Sequence, residues 1–165
     1  MNERTKKNVN EAFIGEAKAY QRLLMYAQKA ESEGLPQIAR LFRAVAESEG
    51  IHSRRHFALL EKVSDTQTNL ENAFQSENLV NGVYYPKMLK EAEEDGEKSA
   101  MIVFSQARDV EAVHTKLYEN ALKNMMEEKI VDYYICPVCG YLNEGPMEED
   151  CPVCGASKNK FYKIE

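Results

Sequence analysis

Two short cysteine motifs near the end of the chain carry the most specific chemistry. Cys136-Pro-Val-Cys139-Gly and Cys151-Pro-Val-Cys154-Gly are Cys-x-x-Cys knuckles separated by eleven residues. Paired knuckles at this spacing hold one tetrahedral metal through four thiolates. Gly140 and Gly155 follow the second cysteine of each pair, where a tight turn needs positive φ. A disulfide framework is disfavoured in a helical chain whose start, MNERTKKNVNEAF, has no apolar signal core. The spacing leaves the metal open: zinc would be purely structural, whereas iron would make a one-electron centre.

A second constellation lies upstream. Glu49-Gly-Ile-His52 and Glu111-Ala-Val-His114 are both Glu-x-x-His, a spacing that puts carboxylate and imidazole on one face of a helix. Glu16 and Glu77 precede them on separate segments. Glu16 lies 18 residues before Gly34 and Glu77 19 before Gly96, while each Glu-x-x-His begins 15 residues after its glycine. At a common rise of ~1.5 Å per residue, four helices would bring these groups to one height. Two lone glutamates facing two Glu-x-x-His motifs form the di-iron carboxylate arrangement of helical bundles. Four carboxylates balance two divalent cations, which makes their burial tolerable. One such motif on a Glu-rich helix arises by chance; the repetition at matching height is what points to metal.

Other groups near these motifs read more plainly. His56 follows His52 by one turn, but no carboxylate spacing accompanies it and its repeat partner is Tyr118, so a structural role is expected. Tyr20 and Tyr85 fall close to Glu16 and Glu77 along their helices, a spacing equally typical of core aromatics. Glu93-Glu94 and Glu127-Glu128 read as solvated faces.

The segments that must position these residues are helical. From Arg4 to Glu128, apolar residues recur at three- and four-residue intervals among good helix formers, as in Leu23, Tyr26, Ala27, Ala30. Breaks at Gly34-Leu-Pro36, Ser64 to Asn69 and Asp95-Gly96 predict four helices, at about Arg4–Glu33, Pro36–Lys62, Leu70–Asp95 and Glu97–Glu127. Short first and third connections predict antiparallel hairpins and hence a four-helix bundle. The fold class is mostly α with a small metal-knuckle tail, divided at 1–130 and 131–165. The hairpins also repeat. Phe42, Glu49 and His52 recur 62 residues later as Phe104, Glu111 and His114, but Ala12-Phe13-x-x-Glu16 recurs as Ala73-Phe74-x-x-Glu77 at 61. One residue is therefore inserted between Glu77 and about Leu89. A π-type bulge absorbs such an insertion, and Pro86 places it within a turn of Val83 to Pro86.

Composition narrows the function classes. The chain has 165 residues, 21 Lys and Arg against 27 Asp and Glu, and a formal net charge of −6. That balance argues against nucleic-acid binding. No apolar run approaches the ~20 residues of a membrane span, so a soluble, cytoplasmic protein is expected.

At this point the residues resemble the rubrerythrin family. The resemblance rests on Gly15-Glu16, Glu49-x-x-His52, Glu77-Asn78 followed by Tyr85-Pro86, Glu111-x-x-His114, and the tail CPVCGYLNEG…CPVCG, and it covers nearly the whole chain. It implies a ferritin-like bundle with a rubredoxin-like domain, and a non-haem di-iron peroxidase that reduces hydrogen peroxide to water. Electrons would pass through a rubredoxin-type iron, fed by rubredoxin or an NAD(P)H-dependent flavoprotein. It also implies a homodimer, in some members with exchanged hairpins. Carried over by position, Glu16, Glu49, His52, Glu77, Glu111 and His114 match the di-iron ligands. Cys136, Cys139, Cys151 and Cys154 match the iron-binding thiolates, and Tyr85 matches a tyrosine near the metals that could hydrogen-bond peroxide. Two positions depart from the pattern. Val80 stands where the family has a further Glu that exchanges with the first imidazole, and Leu23 where it commonly has Tyr. The competing classes are a ferritin-type iron-oxidising or iron-binding protein, for which six ligands suffice, and a regulatory or scaffold protein with structural zinc in the tail.

Overall fold

The computed structural model describes residues 1–125 and 130–165; the expected helix end at Glu127 and the Glu127-Glu128 pair lie outside them. The chain forms two compact units, Met1–Ser64 and Asp65–Glu165.

The first unit is a helical hairpin of α1 (Glu3–Ser32) and α2 (Pro36–Leu59). Asn2 begins α1 by accepting the Thr5 N–H at 2.9 Å, satisfying a donor that has no partner in the first turn. Gly34, at φ +75°, makes the reversal, and Pro36 starts α2 where its missing N–H is not needed. The seam between the helices is built from small residues: Ala27, Ala30, Ala39 and Ala46 are all buried. Their size lets the two backbones approach, and ring pairs fill the flanks. Phe13 meets Phe57 at 4.9 Å between centroids, and Tyr26 meets Phe42 at 5.7 Å. The second helix ends at Leu59, not Lys62. Leu60 and Glu61 donate to Phe57 and Ala58 in a tightened last turn, and Glu61 takes a positive φ of 53° that no helix continues.

The second unit contains α3 (Thr66–Leu79), a π-helical turn (Val80–Tyr84), α4 (Tyr85–Glu94) and α5 (Lys98–Lys123). The third helix starts at Thr66, four residues before the expected Leu70. Its polar lead-in conceals a cap: Asp65 accepts from the Thr68 N–H at 2.9 Å and the Thr68 hydroxyl at 2.8 Å. The inserted residue of the repeat appears as the π turn, where the Tyr85 N–H reaches the carbonyl of Val80, five residues back. Each α-helical residue turns the chain by ~100°, so an unabsorbed insertion would rotate α4 away from its partner. Instead α3, the π turn and α4 all pack against α5. Pro86 sits in the first turn of α4, directly after the wide turn.

The tail is a three-stranded antiparallel sheet of β1 (Tyr133–Ile135), β2 (Leu142–Glu144) and β3 (Tyr162–Lys163), in the order β2-β1-β3. Register pairs Ile135 with Leu142 on one side and with Tyr162 on the other. Tyr141 and Phe161 meet edge to face at 6.3 Å, a small apolar contact in a tail whose cysteines supply its buried residues, Cys136 and Cys151. β2 packs against α5.

Deleting Gly82 together with Pro86→Ala should convert the π turn to regular helix and leave α4 seated on α5. Its melting midpoint should stay near that of the parent. Deleting Gln75 from regular α3 should lower the midpoint by roughly 5 °C or more, the shift of a ~2 kcal/mol loss in a chain of this size. Equal losses in thermal unfolding would show that the turn does not absorb an inserted residue.

Candidate metal centres

α1 and α2 bring Glu16, Glu49 and His52 together, with one ligand atom from each lying within 4.8 Å of the others. Glu49 Oε2 and His52 Nδ1 are 3.0 Å apart. The Glu49 carboxyl is held below its ordinary value by its hydrogen bonds with His52 first and Glu16 second. Gly50 lies buried within this Glu-x-x-His, and the Tyr20 ring occupies the space above it. A Cβ there would stand 3.1 Å from the nearest ring carbon. Glycine is costly inside a helix; here it makes room for an aromatic ring one turn beyond Glu16. Sequence reasoning noted Tyr20 and passed over Gly50, although a mid-helix glycine between two ligands was itself a signal.

The second unit builds the matching cluster from Glu77 on α3 and Glu111 and His114 on α5, again within 4.8 Å. Glu111 Oε2 and His114 Nδ1 are 2.8 Å apart. Burial, and then the hydrogen bond and negative charge of Glu111, push the Glu77 carboxyl up to about 7. Tyr85 belongs to this cluster electrostatically: burial, then the charges of Glu111 and Glu77, raise its hydroxyl above the usual value, so it remains a donor. Its ring rests 6.2 Å from Phe104. His56 is half-buried and outside both clusters.

The third cluster is the four cysteines, with ligand atoms within 4.8 Å. Cys136 Sγ lies 3.7 Å from Cys154 Sγ, and Cys139 Sγ 3.6 Å from Cys151 Sγ. A tetrahedron with metal–sulfur bonds of ~2.3 Å has edges of about 3.8 Å, so these sulfurs stand at ligand spacing. Burial raises the thiols of Cys139 and Cys154. At Cys136 burial pushes the same way but is outweighed by the N–H groups of Cys139 and Val138 and by neighbouring thiols. Gly140 (φ +82°) and Gly155 (φ +71°) close the two knuckles, their N–H groups donating to the Cys136 and Cys151 carbonyls at 3.0 and 2.9 Å.

The donors fit their ions. Two ligands at ~2.1 Å from one cation, about 90° apart, are separated by ~3.0 Å, which is the Glu-to-His spacing in both helical clusters. Moreover, His114 Nε2 is the buried side-chain polar atom without a hydrogen-bond partner among the described residues. The ring is oriented by its Glu111-facing Nδ1 alone, which is the nitrogen that stands at ligand spacing.

Carboxylate–imidazole clusters on helical hairpins, with a four-cysteine metal knuckle appended, define the class of di-iron carboxylate proteins that carry a rubredoxin-like domain. The comparisons agree. The Rubrerythrin family model matches residues 7–122, and the model described as the rubredoxin-like domain of rubrerythrin matches residues 134–162. Rubrerythrin-2 of Clostridium acetobutylicum is 35% identical, with 91% of each chain covered. Nigerythrin of Nitratidesulfovibrio vulgaris is 32% identical over 95% of this chain and 85% of its own. The solved structure of fully reduced, all-ferrous nigerythrin superposes with a TM-score of 0.60 at 29% identity, covering 97% of this chain and 86% of that one. The chain belongs to the rubrerythrin family. Its cofactors are accordingly a di-iron centre and a metal in a four-cysteine rubredoxin-like site, and its class is oxidoreductase.

The raised Glu77 carboxyl fixes a pH dependence. With a folded value of about 7 against 4.5 for the free group, folding binds a proton between those values. The metal-free protein should therefore lose stability as pH rises from about 4.5 to 7. A cation must displace that proton, so iron affinity should fall as pH drops below 7. Denaturant midpoints at pH 5 and 7.5, and proton release on Fe(II) addition at pH 6, check both signs. Glu77→Gln should remove its share of each, and an unchanged proton release in that variant would contradict the assignment.

Proposed function

We propose that the protein is a hydrogen-peroxide reductase whose electrons enter at the cysteine-bound iron, are relayed to the di-iron centre, and leave on peroxide as it becomes water. The observation that carries this reading is the pairing in one chain of two carboxylate–imidazole clusters with a four-thiolate site at metal spacing. A storage protein has no need of a one-electron carrier. Glu16, Glu49 and His52, with Glu77, Glu111 and His114, are the proposed ligands of the two irons. When bound, that iron pair supplies two electrons to peroxide and is restored one electron at a time. No helix of the described residues is long and apolar enough to cross a membrane. The proposed electron source is a rubredoxin or an NAD(P)H-dependent flavoprotein in the cytoplasm, and the proposed assembly is a homodimer. The tail forms its own domain from about residue 131, beyond a bundle domain of residues 1–130.

The chain's own groups have distinct parts to play. Tyr85 keeps its proton beside two carboxylates and donates a hydrogen bond to the substrate oxygen. Loss of one such bond is worth about 1 kcal/mol, so Tyr85→Phe should slow peroxide reduction roughly fivefold while leaving iron content unchanged. Val80 opens the π turn and has no lone pair to offer. No carboxylate at this position competes with His52, which should remain a ligand in both oxidation states. Crystal structures of the oxidised and reduced protein check this: exchange of His52 for a protein carboxylate on oxidation would contradict it.

The reading is tested by adding peroxide without oxygen to the reduced, fully metallated protein while following the absorbance of both centres. Return of the ferric-thiolate colour with water as product supports peroxide reduction. A colourless zinc-bound tail would contradict it, and iron oxidation that dioxygen drives and peroxide does not would favour the ferritin-type reading for which the six ligands suffice.

A further inference from the structure

The two Glu-x-x-His motifs differ in the residue that follows the glutamate: Gly50 in the first, Ala112 in the second. A Cβ at this place is compatible with the motif, because Glu111 and His114 stand at ligand spacing on either side of Ala112. What excludes it at position 50 is the neighbouring helix. A Cβ on Gly50 would lie 3.1 Å from Tyr20 Cδ2, 3.3 Å from Tyr20 Cε2 and 3.4 Å from Arg54 Nη1. The backbone beneath is held, since the buried Ser53 hydroxyl donates to the Gly50 carbonyl at 3.0 Å. Helical side chains lean towards the N-terminus of their helix, so the Tyr20 ring falls back over the turn that carries Glu16. Its counterpart in the second hairpin, by the 61-residue offset that relates Glu16 to Glu77, is Asn81. The first cluster therefore has both a ring and a bare helix surface to receive it, and the second has neither.

We propose that Tyr20 and Gly50 act as a positioning pair, which sets the separation of α1 and α2 at which Glu16, Glu49 and His52 close around one cation. Along the rest of the seam the spacers are alanines, Ala27 and Ala30 from α1 and Ala39 and Ala46 from α2. At the level of the ligands a flat ring on a glycine takes their place. Carbon atoms in contact sit ~3.5–4.0 Å apart, so a methyl at position 50 would push the ring, and the helix that carries it, by roughly 0.5 Å. Metal–ligand distances tolerate about ±0.2 Å. The misfit is larger than the site can absorb. The effect is one of packing, so the ring is required and its hydroxyl is not. The inference rests on the reading of Glu16, Glu49 and His52 as ligands.

Mn(II), a hard ion suited to carboxylate and imidazole and poorly to thiolates, tests this in the full-length chain without turnover. Titration followed by the electron paramagnetic resonance of free Mn(II) reads the helical clusters and bypasses the cysteines. Glu16→Ala identifies the ion held by the first cluster. For that ion, Gly50→Ala and Tyr20→Leu should each weaken binding about tenfold, the low end for lost support of a metal ligand. Tyr20→Phe should bind like the parent. The double variant Gly50→Ala/Tyr20→Leu should recover to within about threefold of the parent, because the added methyl fills room that the smaller side chain leaves. Single losses that multiply to about a hundredfold in the double variant would overturn the proposal. So would a loss in Tyr20→Phe as large as that in Tyr20→Leu, or unchanged binding in both single variants while Glu16→Ala is impaired. Circular dichroism checks that the helices persist; if Gly50→Ala does not fold, the contrast between Tyr20→Leu and Tyr20→Phe decides. If the parent binds no Mn(II), or Glu16→Ala binds as the parent does, the ligand reading itself fails and the positioning pair falls with it.

Discussion

Carboxylates and thiolates repel one another when gathered into a few ångströms, and only a cation makes such gatherings stable. This constraint governs the three clusters of the molecule. The Glu77 carboxyl is pushed up to about 7 because solvent is partly excluded and Glu111 is beside it. Cys139 and Cys154 are driven towards the neutral thiol by burial. The metal-free protein therefore stores protons where the loaded protein stores iron. The tail depends on this most heavily. Its strands are two and three residues long, and two of its cysteines make up its buried residues, so the ion takes the place of a hydrophobic core.

The helices serve the same constraint by setting ligand heights. An alanine seam draws α1 and α2 close enough for Glu16 to meet Glu49, and Gly50 leaves room for the Tyr20 ring beside them. In the second unit the π turn lets α3 deliver Glu77 and α4 pack in register on the same α5. An extra residue is thus tolerated because one wide turn absorbs its rotation, and the turn lies between Glu77 and Tyr85, where it sets the orientation of one relative to the other.

Much of this was legible in the residues themselves. The Glu-x-x-His motifs, the knuckle spacing and the one-residue mismatch of the repeat are local patterns, and the clusters, the thiolate geometry and the π turn all follow from them. What escaped were features whose signal is weak or nonlocal. Asp65 reads as part of a polar loop until its bonds to Thr68 reveal a cap, which is why α3 begins earlier than its apolar periodicity suggests. The end of α2 depends on a positive φ at Glu61, a residue type that gives no such warning. Leu142 and His114, far apart in sequence, line one cleft where β2 packs on α5, and no periodicity encodes that.

The account stands or falls on which metals occupy the clusters. Anomalous diffraction measured on both sides of the iron and zinc absorption edges, from crystals of the protein purified without oxygen, reads this directly. The account predicts iron bound by Glu16, Glu49 and His52, iron bound by Glu77, Glu111 and His114, and iron among the four cysteines. Zinc in the cysteine site, or helical clusters without metal in iron-replete protein, would contradict it.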